Sequence, residues 1–200
     1  DGRNQYHYFK GAGRDYLHLL IEYHCASSDN SNATEMIQWV QSVLEDHPTT
    51  PAILSTHECL GSGGGRTAPG EDIFNALVKD YPQVFMVTCG HWHGEAHSTV
   101  QNSDGKDVFQ ILSCFQTRAN GGDGWMTLLE FDEDNDAING STYSPSLDQY
   151  ETDANSQYAL SMNFSNRFDF GSGPLMGAPS VSAFADDGAS VQCRLLNADA

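Results

Sequence analysis

Two runs of this chain, Tyr16–Tyr23 and Gln83–Thr88, are apolar along almost their whole length, and no other feature limits its possible folds so tightly. A strand with one wet face alternates apolar and polar residues, whereas a strand without alternation requires cover on both faces. Ala52–Thr56 is a shorter run of the same kind. A chain with three such segments must build a sheet and place further layers over it.

The residues between these runs supply the layers. Met36, Ile37, Val40, Val43 and Leu44 fall on one face of a helix predicted over Ala33–Asp46, with Asn32 and Glu35 placed to cap its start and His47-Pro48 ending it. A shorter helix is expected around Asp72–Asp80. Tyr6–Tyr23 reads as a hairpin turned at Lys10–Asp15. From Glu95 the apolar period becomes two. Ala96–Gln101 and Asp107–Phe115 form a hairpin through an Asp-Gly turn, and Trp125–Phe131 and Ala137–Tyr143 form another. The acidic tip Asp132–Asp136 lacks the spacing of an EF-hand loop and reads as a solvated turn. The glycine-rich segment Cys59–Arg66 lacks the Lys-Ser/Thr ending of a nucleotide loop and is expected to form a mobile rim. Beyond residue 165, Gly, Ser, Pro and Ala dominate, so residues 166–200 are expected to be a linker or the start of a further domain.

The chain has 200 residues and a formal net charge of -18, which opposes binding to a nucleic-acid backbone or an anionic membrane surface. No apolar run reaches the roughly twenty residues of a membrane span. The excess of aspartate over lysine suits a secreted protein, and Asn32, Asn139 and Asn163 lie in sequons that fit that setting. The five cysteines, Cys25, Cys59, Cys89, Cys114 and Cys193, show no metal-binding spacing, and their odd count leaves one unpaired in a monomer. A disulfide among them is compatible with the sequence, which does not select the pair.

Chemistry concentrates where the apolar strands end. Gln83–Thr88 runs into Cys89-Gly90-His91-Trp92-His93-Gly94, and Ala52–Thr56 runs into His57-Glu58. Imidazole is a common ligand for zinc, iron and manganese, and two adjacent strands ending in histidine place ligands at one sheet edge.

The order strand-His, helix, strand-Gly-His-x-His and hairpins resembles the C-terminal half of calcineurin-like metallophosphoesterases, in particular secreted microbial members. YLHLLIEY at Tyr16–Tyr23, ILSTHE at Ile53–Glu58, GHWHG at Gly90–Gly94, FQTRANGGDGWMTLLEF at Phe115–Phe131 and TYSPSLDQYETD at Thr142–Asp153 carry the likeness. It implies an α/β (α+β) fold: one half of a two-sheet β-sandwich flanked by helices, occupying residues 1–165 and ending in antiparallel hairpins. It also implies hydrolysis of a phosphate-ester substrate at two metal ions drawn from iron, zinc and manganese. His57 and His91 would bind the second metal and His93 the first. His97, Trp92 and Gln116 would line the pocket. Glu22, His24 and Glu58 lie close enough in sequence to serve as substitute ligands.

The family's Asp-x-His, Gly-Asp-x-x-Asp and Gly-Asn-His-Asp/Glu motifs do not occur in this chain, and its catalytic histidine belongs to them. The likeness therefore assigns no catalytic residue here. It predicts an inactive chain that requires an N-terminal half or self-association to cover its core strands. The competing expectation is an extracellular binding or structural module on a degenerate scaffold of the same kind.

Overall fold

A computed structural model of the chain describes residues 4–11, 13–23, 31–168 and 191–193. The chain starts with the expected hairpin: β1 (Gln5–Gly11) pairs antiparallel with β2 (Arg14–Leu20). Helix α1 (Ser31–Asp46) follows and leads to β3 (Ala52–Ser55). It begins before the expected start, so Asn32 lies inside its first turn rather than at its cap.

Helix α2 (Ala68–Ile73) also starts earlier than the apolar pattern suggested, and a π-helical turn over Phe74–Val78 continues it. Its signal lies in Thr67-Ala68-Pro69. The Thr67 hydroxyl accepts from the Gly70 N–H, and proline is tolerated in a first helical turn because no intrahelical donor is needed there. Next come β4 (Val84–Cys89), β5 (Gly94–Gln101), β6 (Asp107–Cys114) and the single turn α3 (Ala119–Gly122). The chain continues through β7 (Met126–Asp132), β8 (Ala137–Ser144), β9 (Gln149–Tyr150), β10 (Gln157–Ser161), α4 (Phe164–Arg167) and β11 (Val191–Cys193).

The first six strands make one mixed sheet in the order β1-β2-β3-β4-β6-β5. Neighbours from β2 through β3 and β4 to β6 are parallel, and the outer pairs are antiparallel. The second sheet has the order β10-β8-β7-β11, with β9 added to β8. The two apolar runs that dominate the sequence are thus interior strands with partners on both sides.

Both faces of these strands are covered, as their composition demands, and this chain's own residues supply the cover that was expected from an N-terminal half or a second copy. On one face, Leu17, Leu19, Leu54 and Val87 pack with Met36, Val40 and Leu44 of α1 and with Leu77. On the other, Tyr16, Ile53, Phe85, Phe109 and Ile111 meet Leu129, Ile138, Leu160 and Phe164 from the second sheet and α4. The molecule is a mixed α/β structure of two packed sheets with helices over the outer face of the first.

Polar pins join the layers. The buried Ser113 and Thr127 hydroxyls are 2.7 Å apart between β6 and β7. Arg167 is 7 % exposed, and its guanidinium donates to the carbonyls of Pro82 at 2.6 Å, Val84 at 2.9 Å and Asp107 at 3.2 Å. The boundary expected at residue 165 therefore falls inside α4, which is fastened to the first sheet. Residues 191–193 of the expected linker form a parallel strand on β7, and the rest of that segment beyond Phe168 lies outside the described residues. The tip at Asp132–Asp136 is a hairpin turn, and Asp136 accepts from the Phe164 N–H at 3.0 Å, holding α4 in place.

Candidate functional site

The parallel direction of β2, β3 and β4 places the residues that follow them along one edge of the sheet, where ligand sites of α/β proteins form. Pairing continues past the strand ends. The Thr56 N–H donates to the Thr88 carbonyl at 3.0 Å, and the Gly90 N–H donates to the His57 carbonyl at 3.1 Å. The His57 and His91 backbones are thereby fixed to each other. His91 adopts a φ of 68°, in the left-handed region that costs a β-carbon-bearing residue free energy. The tight turn imposes that conformation and sends the imidazole back toward β3.

The two rings meet, with His57 Nε2 2.9 Å from His91 Nδ1. Tyr23 closes the group: its ring centroid lies 4.9 Å from that of His57, edge to face, and 6.0 Å from that of His91, stacked. Beneath the rings sits the buried carboxylate of Glu58. It accepts from the Tyr23 hydroxyl at 3.0 Å and from Trp92 Nε1 at 3.0 Å, and its Oε2 is 3.9 Å from His91 Nε2. Burial pushes the Glu58 pKa up, but hydrogen bonds from Trp92, Tyr23 and Thr67, with the nearby His91, outweigh it and hold the carboxyl below its ordinary value. Burial, then the proximity of His91, lowers the His57 pKa, with Glu58 opposing. The shift favours the neutral imidazole, the form that can ligate a metal.

His93 points elsewhere. Its Nε2 lies 3.3 Å from the Gln116 amide nitrogen, on the loop after β6. Among the described residues, no three His, Cys, Asp or Glu side chains come together as a metal-binding group. Of the three histidines expected as ligands, His57 and His91 are in contact and His93 contacts Gln116. A single residue, Trp92, separates His91 from His93, and the second ring is aimed at the Gln116 loop instead. His97 faces Tyr158, with ring centroids 4.2 Å apart, and its Nε2 is 3.2 Å from the Ala154 carbonyl. Trp92 is 48 % exposed, yet its indole nitrogen is committed to Glu58, so it forms part of the rim. The substitute ligand Glu22 is hydrogen-bonded to Asn4 at 3.1 Å, and His24 lies outside the described residues.

The Gln116 loop is itself anchored. Arg118 donates to both carboxylate oxygens of Glu151, at 2.7 and 2.9 Å, and to Glu95 at 3.1 Å. Glu95 also accepts from the Thr142 and Ser156 hydroxyls. Burial, moderated by these hydroxyls and reinforced by Glu151, raises the Glu95 pKa.

The segment expected to be a mobile rim is instead a closed loop. Gly61 and Gly65 are hydrogen-bonded at 2.9 Å, Leu60 bridges to Arg66, and the Arg66 guanidinium lies 4.0 Å over the Phe74 ring.

The pair fits a metal as two neighbouring ligands and not as a complete centre. Ring nitrogens bound at ~2.05 Å to one ion are about 2.9 Å apart in octahedral and about 3.3 Å apart in tetrahedral geometry, so the observed 2.9 Å matches the octahedral spacing and is equally the length of a hydrogen bond between the two rings. A stable site needs at least one further donor.

Tyr23 and the contact between Cys59 and Cys89 were not foreseen. The cysteines did leave a trace in the sequence, since Cys59 follows His57 by two residues and Cys89 precedes His91 by two.

No protein-family model matches the chain. It is 35% identical over 179 residues to the uncharacterized protein YvnB of Bacillus subtilis strain 168, covering 84% of this chain but only 13% of that protein. Among solved structures it is similar to GAP50, described as the anchor in the inner membrane complex of Plasmodium. That match has a TM-score of 0.45 and 12% identity, over 80% of this chain and 55% of the other.

Proposed function

We propose that this chain supplies part of the metal site of a phosphoric-ester hydrolase, the remaining ligands lying on an N-terminal half of a longer protein. The observation that carries the reading is the His57–His91 pair, two imidazoles 2.9 Å apart at the carboxyl ends of adjacent parallel strands. The resemblance of the strand-His and Gly-His-x-His segments to calcineurin-like metallophosphoesterases supplies the reaction class and the two ions, iron, zinc or manganese. Such ions lower the pKa of a bound water so that hydroxide forms near neutral pH. The residues of this chain orient the ligands: Glu58, pinned by Tyr23 and Trp92, supports the His91 ring from below, and Tyr23 packs against both rings. Gln116 holds His93 in reserve as a ligand for the first metal. The acidic, lysine-poor composition goes with secretion.

A second reading is a non-catalytic extracellular binding or structural module on the same scaffold. The observation favouring it is that no third ligand joins His57 and His91 among the described residues.

Hydrolysis of an aryl phosphate in manganese or zinc separates the two. The isolated chain should show no turnover above the metal-only blank. A longer natural protein containing it should turn over, and His91→Ala should reduce that rate by at least about 100-fold, the scale of losing a metal ligand or its support. An inactive longer protein, or one indifferent to His91→Ala, refutes the hydrolase reading.

A further inference from the structure

We propose that Cys59 and Cys89 form a disulfide that staples together the two loops carrying His57 and His91. Their sulfurs are 2.8 Å apart, and both residues are buried, at 1% and 6% exposure. Cys59 lies just beyond Glu58 on the loop after β3, and Cys89 is the last residue of β4, the adjacent parallel strand. A disulfide S–S bond is about 2.05 Å, so bond formation closes a gap of ~0.75 Å, within reach of small side-chain rotations. The surroundings keep the sulfurs in place. The Leu60 N–H points at Cys89 Sγ at 3.3 Å, and the Cys59 carbonyl is held by the Thr67 N–H at 3.0 Å.

The oxidant required is a low-molecular-weight disulfide such as glutathione disulfide. One protein sulfur displaces half of the reagent, giving a mixed disulfide and one free thiol. The second protein sulfur then displaces the other half, so that the Cys59–Cys89 bond forms and a second thiol leaves. The protein loses two electrons, the reagent gains them, and the two S–H protons depart on the released thiols. Exchange takes place during folding, before the two sulfurs are buried. The cross-link closes a ring between positions 30 residues apart and sets the His57–His91 spacing covalently, two residues from each ring. It is independent of what the histidines bind.

The test uses the full 200-residue chain refolded in a glutathione redox buffer, denatured, and alkylated with iodoacetamide without reductant. Trypsin places Cys25 and Cys59 together in residues 15–66 and Cys89 in residues 80–106, and cleavage at Glu35 and Glu45 then separates Cys25 from Cys59. The expected product is a Cys59–Cys89 cross-linked peptide. Alkylated Cys59 and Cys89, or either of them joined to another cysteine, overturns the proposal. Reduction should lower the Tm by about 10 °C. In the Cys59→Ala/Cys89→Ala double variant, reductant should leave the Tm unchanged, and a persisting fall also overturns the proposal.

Discussion

Mild acid should weaken this fold through one side chain outside the His57–His91 pair. His18 sits on β2, its Nε2 2.7 Å from the Ser55 hydroxyl, which is 2.6 Å from the Thr88 hydroxyl. Burial, with a smaller contribution from His7 opposite it in the hairpin, lowers its pKa to about 4. The unfolded chain titrates near 6.5, so between pH 4 and 6.5 it binds the proton that the folded chain refuses. The stabilisation from a neutral His18 is present above pH 6.5 and is lost as pH falls toward 4. One pH unit of mismatch is about 1.4 kcal/mol, and integration from pH 7 to pH 5 gives about 2 kcal/mol. The ring is partly exposed, and screening by water brings this to about 1.5 kcal/mol. With a urea m-value of about 2 kcal/mol/M for a chain of this size, the midpoint should drop by ~0.7 M. His18→Gln keeps a polar partner for Ser55 but does not titrate, so its midpoint should drop less by that amount over the same interval. Urea unfolding followed by tryptophan fluorescence at pH 7, 6 and 5 measures both. Parallel losses in parent and variant would refute the argument, because the acid sensitivity would then reside elsewhere.

Two packing predictions concern Gly70 and Arg167. A β-carbon at Gly70 would collide with the Cys59 carbonyl oxygen and lie 2.8 Å from its carbon, both rigid backbone atoms. Gly70→Ala should therefore cost about 3 kcal/mol in denaturant unfolding, and a loss under ~1 kcal/mol would show that α2 shifts freely. Arg167→Met keeps the buried stem but strips the carbonyls of Pro82, Val84 and Asp107 of their donor. At roughly 1 kcal/mol or more for each carbonyl left unpaired, the same measurement should show a loss of about 3–5 kcal/mol, and a near-neutral result would mean that water replaces the guanidinium.

Elements whose evidence is periodic were legible in the sequence. The β1–β2, β5–β6 and β7–β8 hairpins and the interior strands β3 and β4 follow from apolar alternation, or its absence, and from turn residues. The start of α2 is written in capping chemistry at Thr67 and Pro69 rather than in apolar spacing. β9 and β10 are short and polar on one side, and they are strands because β8 offers an edge to them. At the site, the meeting of His57 with His91 follows from parallel neighbours. The diversion of His93 depends on the left-handed backbone at His91 and on the Arg118 network that positions Gln116, and neither is a property of the Gly-His-x-His spacing. The closed Gly61–Gly65 loop misled for a related reason. Glycines that suggest freedom in sequence here permit a tight hydrogen-bonded turn, and Gly64 has a φ of 79°.

The clamp made by Arg167 also bears on the timing of synthesis. Its partners Val84 and Pro82 lie 83 and 85 residues earlier in the chain, and the Tyr16 contact to Glu133 spans 117. Contacts of such separation form late, because loop closure must precede them. During translation the six-stranded sheet is complete when Cys114 emerges, yet the face bearing Tyr16, Phe85 and Phe109 gains its full cover only with α4, which starts at Phe164. At about 5–20 residues per second the ribosome needs ~3–10 s to cross that interval. For those seconds an aromatic sheet face stands incompletely covered, and a nascent chain is then most open to a chaperone or to a neighbouring copy on the same message.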